Sequence, residues 1–468
     1  MVSRNSPLTD ILSLSNWAVL SVEQGDELVI KAEYLVQPAS CLKCGSQSFY
    51  KHGPKPVAYR DSPVRGSPVI VNAILKRYRC KDCGGTFIQP VTDIHPEMRM
   101  TVRCVRYIQS QCLKDTFTRI AENIGCDEKS IRSIAHDYIN FLTTNYKPVL
   151  PKMVGIDETK IDGEMRFIIT DIEKRKPIDM LINREKPTIS DYLWKHRDDP
   201  VQVVAMDMWT GYKSVVSAVY PNAAIVVDKF HVVRMANQAM DGIRINLSKD
   251  RVKAIGRDWM RRKSLLRMRY KNLDEKGKYN VDMWLENEPD IAIAHGLKEL
   301  FYLIYEMPTR QEAEDLLNEW LATFPPEMNK SKKDFKPLIT IFKEWRNEIL
   351  NYFDYRVTNG YTEALNGVAK VINRQGRGYN FETLRARLLF NKHHKPPYPS
   401  LNMDPNVEIT AKEFDDLLES IIRCECCLRL LTPFDYSSIC VTCTERFPHL
   451  KPYRYPPLPV EDSTPYSE

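Results

Sequence analysis

The sequence predicts a multidomain α+β protein in which a mixed-sheet core is interrupted by an all-α insertion and preceded by two small modules. Three observations predict it. Cysteines come in close pairs, hydrophobic periodicity changes from two to about 3.6 residues after Thr101, and beyond Met153 short apolar runs ending in aspartate alternate with helical stretches. At 468 residues the chain is long enough for several folded units.

The formal net charge of +6 is a weak argument for a polyanionic partner. Its distribution says more, since Arg251 to Lys271 concentrates basic residues where a phosphate backbone, or simply solvent, lies against a helix. No stretch reaches the ~18 to 20 apolar residues of a membrane span, and Met1 to Glu23 lacks a basic head followed by an apolar block. A cytoplasmic protein without a membrane partner is therefore expected. In that compartment thiols stay reduced, which favours metal ligation over disulfides for paired cysteines.

Eight of the twelve cysteines are so paired. Cys41 with Cys44 and Cys80 with Cys83 flank alternating apolar residues (Val69 to Val71, Ala73 to Leu75) that follow a turn-like Asp61 to Gly66. Each pair reads as a knuckle aiming two thiolates at one ion, and two knuckles complete a tetrahedral Zn2+ site on a ribbon. Cys424 with Cys427 and Cys440 with Cys443 suggest a second, compact Zn2+ site, with Cys426 an alternative ligand. One or two structural zinc ions are thus expected, and Cys104, Cys112 and Cys126 read as core residues.

Arg103 to Leu113, Phe117 to Asn123 and Glu128 to Asn140 read as three helices, with Gly125 to Asp127 between the last two. This is a helix-turn-helix pattern. Ile131, Ile134, Ala135 and Tyr138 would pack inward, leaving Lys129, Ser130, Arg132, Ser133 and His136 to meet phosphates and base edges of double-stranded DNA.

The next segment carries the chemistry. Met153 to Asp157, Met165 to Asp171 and Pro177 to Asn183 read as strands; a helix near Ile189 to Trp194, a strand Val201 to Asp207, a helix Gly211 to Val219 and a strand Ala223 to Asp228 follow. Three strands, helix, strand, helix, strand is the element order of a ribonuclease-H-like sheet, in which the first and fourth strands lie side by side. Asp157 and Asp207 would then face one point, where buried carboxylates suit two Mg2+ or Mn2+ ions and phosphodiester chemistry. Glu363 offers a third acid, on a helix capped by Thr358 or Asn359 with Asn366 and Lys370 on the same face. Asp228, with His231 near it, is the alternative second acid. Arg184, Arg374 and Arg377, with Lys370, are candidates for holding the DNA backbone. Trp209 reads as a core residue or as a stack for an unpaired base.

Taken together, the four-cysteine ribbon, the helix-turn-helix, Gly155 to Glu158, Met206 to Trp209, Pro221 to His231 and Thr358 to Asn366 resemble the ISL3 group of bacterial insertion-sequence transposases. The resemblance covers about Cys41 to Phe390. It implies a DDE triad of Asp157, Asp207 and Glu363, a helical insertion over Met240 to Tyr352, and a supporting role for Asp228 and His231, which match the group's Asp-x-x-His motif. Ala364 departs from the glycine common there. It further implies a nucleoid-associated bacterial enzyme that acts on terminal inverted repeats and target DNA as a homodimer or larger assembly. A regulator that keeps the scaffold without catalysis is the alternative, and a junction or repair nuclease ranks behind both.

The expected organisation is an N-terminal segment (1–36), a zinc ribbon (37–95), a helix-turn-helix (96–147), the first part of the core (148–240), the insertion (241–352), the second part of the core (353–395), a C-terminal four-cysteine module (396–447) and a tail (448–468).

Overall fold

A computed structural model describes residues 16–248, 263–322 and 333–391, with a few single positions besides. The second cysteine cluster (Cys424, Cys427, Cys440, Cys443), the tail, and 251–262 of the basic run lie outside the described residues. The chain divides into two compact units, with the boundary between Lys147 and Pro148 and the second unit ending at Leu389. No helix among the described residues is long and apolar enough to cross a membrane.

The first unit is built on a five-stranded sheet, with strands β1 (Trp17–Gln24), β2 (Leu28–Tyr34), β3 (Phe49–Val64), β4 (Ser67–Cys80) and β5 (Thr86–Ile88). Its order is β1-β2-β4-β3, with β5 on β4. The sheet thus takes in two strands from the stretch read as an N-terminal segment, because β2 pairs in parallel with β4. Val69, Val71, Ala73 and Leu75, two residues apart on β4, bury one face against Trp17, Leu28, Ile30 and Tyr34.

Asp61 is not part of a turn. The turn is confined to Arg65 and Gly66, both at positive φ (53° and 82°), which is the type I′ geometry that matches strand twist. Asp61 instead lies buried in β3, where it accepts hydrogen bonds from Thr101 Oγ1 (2.6 Å) and Arg103 Nε (2.8 Å) and a further one from the Arg103 guanidinium.

That contact anchors the start of three helices, α1 (Val102–Gln111), α2 (Phe117–Ile124) and α3 (Glu128–Asn145). Thr101, Thr116 and Asp127 cap them, each side chain accepting from a backbone N–H three residues on. Ile131, Ile134, Ala135 and Tyr138 are buried, as are Cys104 and Cys112, while Cys126 is half-buried.

The second unit carries a five-stranded mixed sheet, with strands β6 (Met153–Ile161), β7 (Glu164–Asp171), β8 (Lys176–Leu181), β9 (Val203–Met206) and β10 (Ala224–Val227). The order is β10-β9-β6-β7-β8. The hairpins β6-β7 and β7-β8 are antiparallel, whereas β9 joins β6 and β10 joins β9 in parallel. Helices α4 (Lys186–Lys195) and α5 (Thr210–Val219) make the two crossovers, and α6 (Lys229–Ser248) leaves β10.

Within β7, Phe167 and Ile169 enter the large core while Ile168, pointing the other way, packs under α13 (Gly360–Gln375) and α14 (Phe381–Phe390). A strand buried on both faces explains its unbroken apolar run. Between α6 and α13 lie α7 (Lys263–Arg267), α8 (Glu275–Asn287), α9 (Pro289–Ile304), α10 (Arg310–Ala322), α11 (Lys336–Glu344) and α12 (Arg346–Tyr355). They pack around Trp320 and Phe301, and Asn351 on α12 donates to the Ile225 carbonyl of β10 (2.8 Å).

Asp61→Ala is expected to lower the stability of the first unit by about 2–3 kcal/mol in urea denaturation, since it strands the Thr101 and Arg103 donors. A loss below ~0.5 kcal/mol would show that the sheet-to-helix anchor lies elsewhere.

Candidate active site and zinc centre

The four front cysteines meet at one point. Cys41 Sγ lies 3.9 Å from Cys83 Sγ and Cys44 Sγ 3.6 Å from Cys80 Sγ, and all four sulfurs fall within 4.8 Å of one another. Tetrahedral Zn–S bonds of about 2.3 Å hold sulfurs about 3.8 Å apart, so the donor set fits Zn2+. Phe49, Tyr78 and Phe87 pack together beneath the cysteines as a small apolar base.

The carboxylates gather at the other sheet. Asp157 lies on β6, Asp207 follows β9, Asp228 follows β10, and Glu363 sits in the first turn of α13. Asp228, His231 and Glu363 form a group whose ligand atoms all lie within 4.8 Å of one another. Asp207 joins through His231, whose Nδ1 stands 2.9 Å from Asp207 Oδ1, 3.6 Å from Asp228 Oδ2 and 3.7 Å from Glu363 Oε1. Asp207 Oδ1 and Asp228 Oδ2 are buried without a well-directed hydrogen bond, so their contacts with the ring are ionic. Asp157 closes the cluster, accepting from Asn366 Nδ2 on α13 (2.6 Å) and from the Glu158 N–H (2.7 Å).

Electrostatics follow from this crowding. Burial, then the Asp207 carboxylate, pushes Asp157 up to about 7. Burial and then Asp228 raise Glu363. Asp207 and then Asp228 push His231 up to about 10, so an imidazolium sits among the acids. Crowded carboxylate oxygens, of which Asp207 Oδ1 and Asp228 Oδ2 are buried without a well-directed hydrogen bond, are a donor set suited to divalent cations.

What brings Glu363 here is a buried polar latch that the sequence reading did not identify. Asn359 does not cap α13 with its side chain. It reaches across to β6 instead, donating to the Ile156 carbonyl (2.8 Å) and accepting from Thr362 Oγ1 (2.5 Å). Thr362 in turn meets Thr170 Oγ1 on β7 (2.7 Å). A Cβ on Gly155 would lie 2.5–2.6 Å from the oxygens of Thr362, Asn359 and Thr170. The one sequence signal was that glycine, since glycine inside an apolar strand often marks a close approach.

Residues 154–388 match a family model described as the ISL3 transposase of DDE type, a span that includes every carboxylate of this cluster. The chain belongs to the ISL3 family of transposases. A second match, over residues 37–83, is to the zinc finger of the transposases of IS204, IS1001, IS1096 and IS1165. The chain is also similar to the transposase for insertion sequence element IS1001 of Bordetella parapertussis, at 22% identity over 392 residues, covering 78% of this chain and 93% of that one.

Other residues named from the sequence of this family member are placed as follows. Lys129, Arg132, Ser133 and His136 are exposed on α3, with Arg132 paired to Glu128; Ser130 is half-buried and its hydroxyl is engaged by Asp127 (2.9 Å). Arg184 is bound to Glu158, which also accepts from the Tyr212 hydroxyl. Trp209 is 39% exposed and is not a core residue; its ring lies edge-on to Tyr212 (4.3 Å between centroids), with the Arg184 guanidinium 6.0 Å from its centroid. Lys370, Arg374 and Arg377 are exposed at the far end of α13 and just beyond it.

Two measurements probe this geometry. Gly155→Ala is expected to cost about 2–3 kcal/mol by overpacking, with Thr362→Ala in the same chain recovering part of it; an unperturbed midpoint would mean that α13 is not held by this contact. The second is a pH series in chelator. Because Asp157 is raised from 3.8 to about 7, the folded chain holds that proton more tightly, a stabilisation complete below about pH 3.8 and lost as pH rises through 7. The melting temperature of metal-free protein should therefore fall between pH 5 and 8, and fall less in Asp157→Asn; identical slopes would remove Asp157 as the source.

Proposed function

We propose that this family member binds the terminal inverted repeats of an insertion sequence and catalyses metal-dependent cleavage and strand transfer on a ribonuclease-H-like core. The observation that carries the reading is the gathering of Asp207, Asp228 and Glu363 around His231, with Asp157 close enough for the Asp207 carboxylate to act on it, from three strands and one distant helix. Asp157, Asp207 and Glu363 are the proposed triad. Asp228 is 0% exposed, beneath His231, whereas Asp207 and Glu363 keep accessible surface, so Asp228 and His231 are assigned to support.

Two Mg2+ or Mn2+ ions held by the triad would supply an activated attacking oxygen and stabilise the leaving oxygen of a phosphodiester. The protein's own share is positional. Asn366 fixes the Asp157 carboxylate, His231 fixes Asp207, and the latch at Gly155 fixes Glu363. Sequence preference must come from elsewhere, because a carboxylate cage reads no bases. We assign it to the zinc ribbon and to α1–α3 as a helix-turn-helix, with Lys129, Arg132, Ser133 and His136 on the DNA-facing side and the Ser130 hydroxyl taken up by the Asp127 cap. Arg184 is assigned to the backbone near the cut through the Trp209 edge of the site, where the exposed indole is suited to stack on an unpaired base. Holding two ends at once calls for a homodimer or larger assembly on DNA.

Asp157→Asn is the decisive variant. Strand cleavage of a duplex carrying the element end, assayed in Mg2+, should fall by at least ~10³-fold while end binding in a gel shift stays within about twofold. Cleavage at the wild-type rate would overturn the catalytic reading and leave a DNA-binding regulator.

A further inference from the structure

Helix α13 carries a second chemistry at its other end. Glu363, Asn366, Lys370 and Arg374 follow at intervals of three and four residues and so share one helical face. At the end of that stripe lies a groove of about 480 Å³, lined by Lys160 and Asp162 from the β6-β7 hairpin and by Lys370, Arg374 and Arg377. Four cations face one carboxylate, and Asp162 Oδ2 already accepts from Asn373 Nδ2 (2.7 Å). The side chains of Lys160, Lys370, Arg374 and Arg377 have no ion-pair partner among the described residues. Arg385 on α14 shows the contrast, since Asp179 grips it through two hydrogen bonds of 2.6 and 3.0 Å. The helix C-terminus accounts for attraction to one or two cations, not for four held together against their own repulsion.

The groove is built rather than incidental. Buried Asn373 clamps the turn after α13, its Oδ1 accepting from Tyr379 N (3.0 Å) and its carbonyl from Gly378 N (3.0 Å). Within that turn Arg377 is held at φ 56°, a left-handed conformation that a residue with a Cβ adopts at a cost of about 1–3 kcal/mol. The same two elements carry Asp157 (β6) and Glu363 (α13), so groove and acids share one rigid frame.

A small anion would be matched by a compact cradle. Here two of the four charges, Lys370 and Arg374, lie along the helix, roughly 10 Å and 16 Å beyond Glu363 at ~1.5 Å per residue, with Lys160 and Arg377 flanking them. With α13 laid parallel to the duplex axis, along which the phosphates of one strand recur every ~3.4 Å, these reaches correspond to roughly three to five nucleotides.

We propose that this groove clamps the phosphate backbone of one DNA strand about three to five nucleotides from the phosphodiester at the acids, making α13 a ruler that sets which bond is cut. The proposal rests on the DNA-binding part of the reading above, and only its ruler function rests on catalysis.

The test uses the full chain and a duplex carrying the terminal repeat, with affinity measured against salt for wild type and for Arg374→Gln/Arg377→Gln. The plot of log affinity against log salt should lose about 1.8 from its slope, equivalent to roughly 30-fold weaker binding at 0.15 M salt, with an unchanged melting temperature. Single neutral methylphosphonate linkages, placed in turn along the strand, should weaken wild-type binding when about three to five nucleotides from the cut and add nothing in the double variant. Cleavage by the variant should spread to neighbouring phosphates. An unchanged salt slope, or equal methylphosphonate effects in both proteins, overturns the groove even if cleavage proceeds normally. A reduced slope in a chain that never cleaves upholds the clamp while refuting the ruler and the catalytic reading with it.

Discussion

The second unit depends on one close approach, the seating of the α13 N-terminus on β6. With hydrogen in place of a side chain at Gly155, the oxygens of Asn359, Thr362 and Thr170 fit into a space that a single methyl group would fill. Buried polar atoms are tolerated there because each finds a partner, from the Ile156 carbonyl through the Asn359 amide and Thr362 to Thr170. Glu363 is the next residue after Thr362. A contact between positions about two hundred residues apart in the chain therefore fixes a carboxylate within reach of His231, itself bound to the strand-end acids.

That arrangement concentrates negative charge where water is scarce. Burial first, and then the neighbouring carboxylates, raise Asp157 and Glu363, while Asp207 and Asp228 raise His231. Sites of this kind are less stable than an apolar core of equal volume. A structure keeps them only where the surrounding packing is sufficient, and here the sheet has apolar layers on both faces and the helices α7–α12 bury an aromatic cluster around Trp320. The charge balance reverses at the other end of α13, where cations outnumber acids, so that one helix links the two fields.

Much of the fold was legible in local pattern. Close cysteine pairs, the change of period after Thr101 and apolar runs ending in aspartate are short-range signals, and they appear as the sulfur cluster, α1–α3 and strands β6, β9 and β10. Other features were legible only in part. The alternation of β2 is written in Leu28 to Tyr34, but nothing local says that it pairs in parallel with β4, some forty residues on. Asp61, followed by Ser62, Pro63 and Gly66, has the composition of a turn; burial against Arg103 overrode that tendency. Trp209 carries the most buried-looking side chain in its segment, yet its exposure depends on where α5 and Arg184 lie.

By itself, then, the sequence determined the kinds of elements, the cysteine knuckles and the acids that close apolar strands, because these follow from periodicity and from chemistry between neighbours along the chain. Tertiary structure alone decided that Asn359 spans to β6 instead of capping its helix, that Asp228 lies beneath His231 while Asp207 stays accessible, and that four basic residues from a hairpin and a helix share one groove. The physical reason is that hydrogen bonds, burial and ion pairing act over a few ångströms in space, and residues far apart in sequence acquire those distances only when the chain packs.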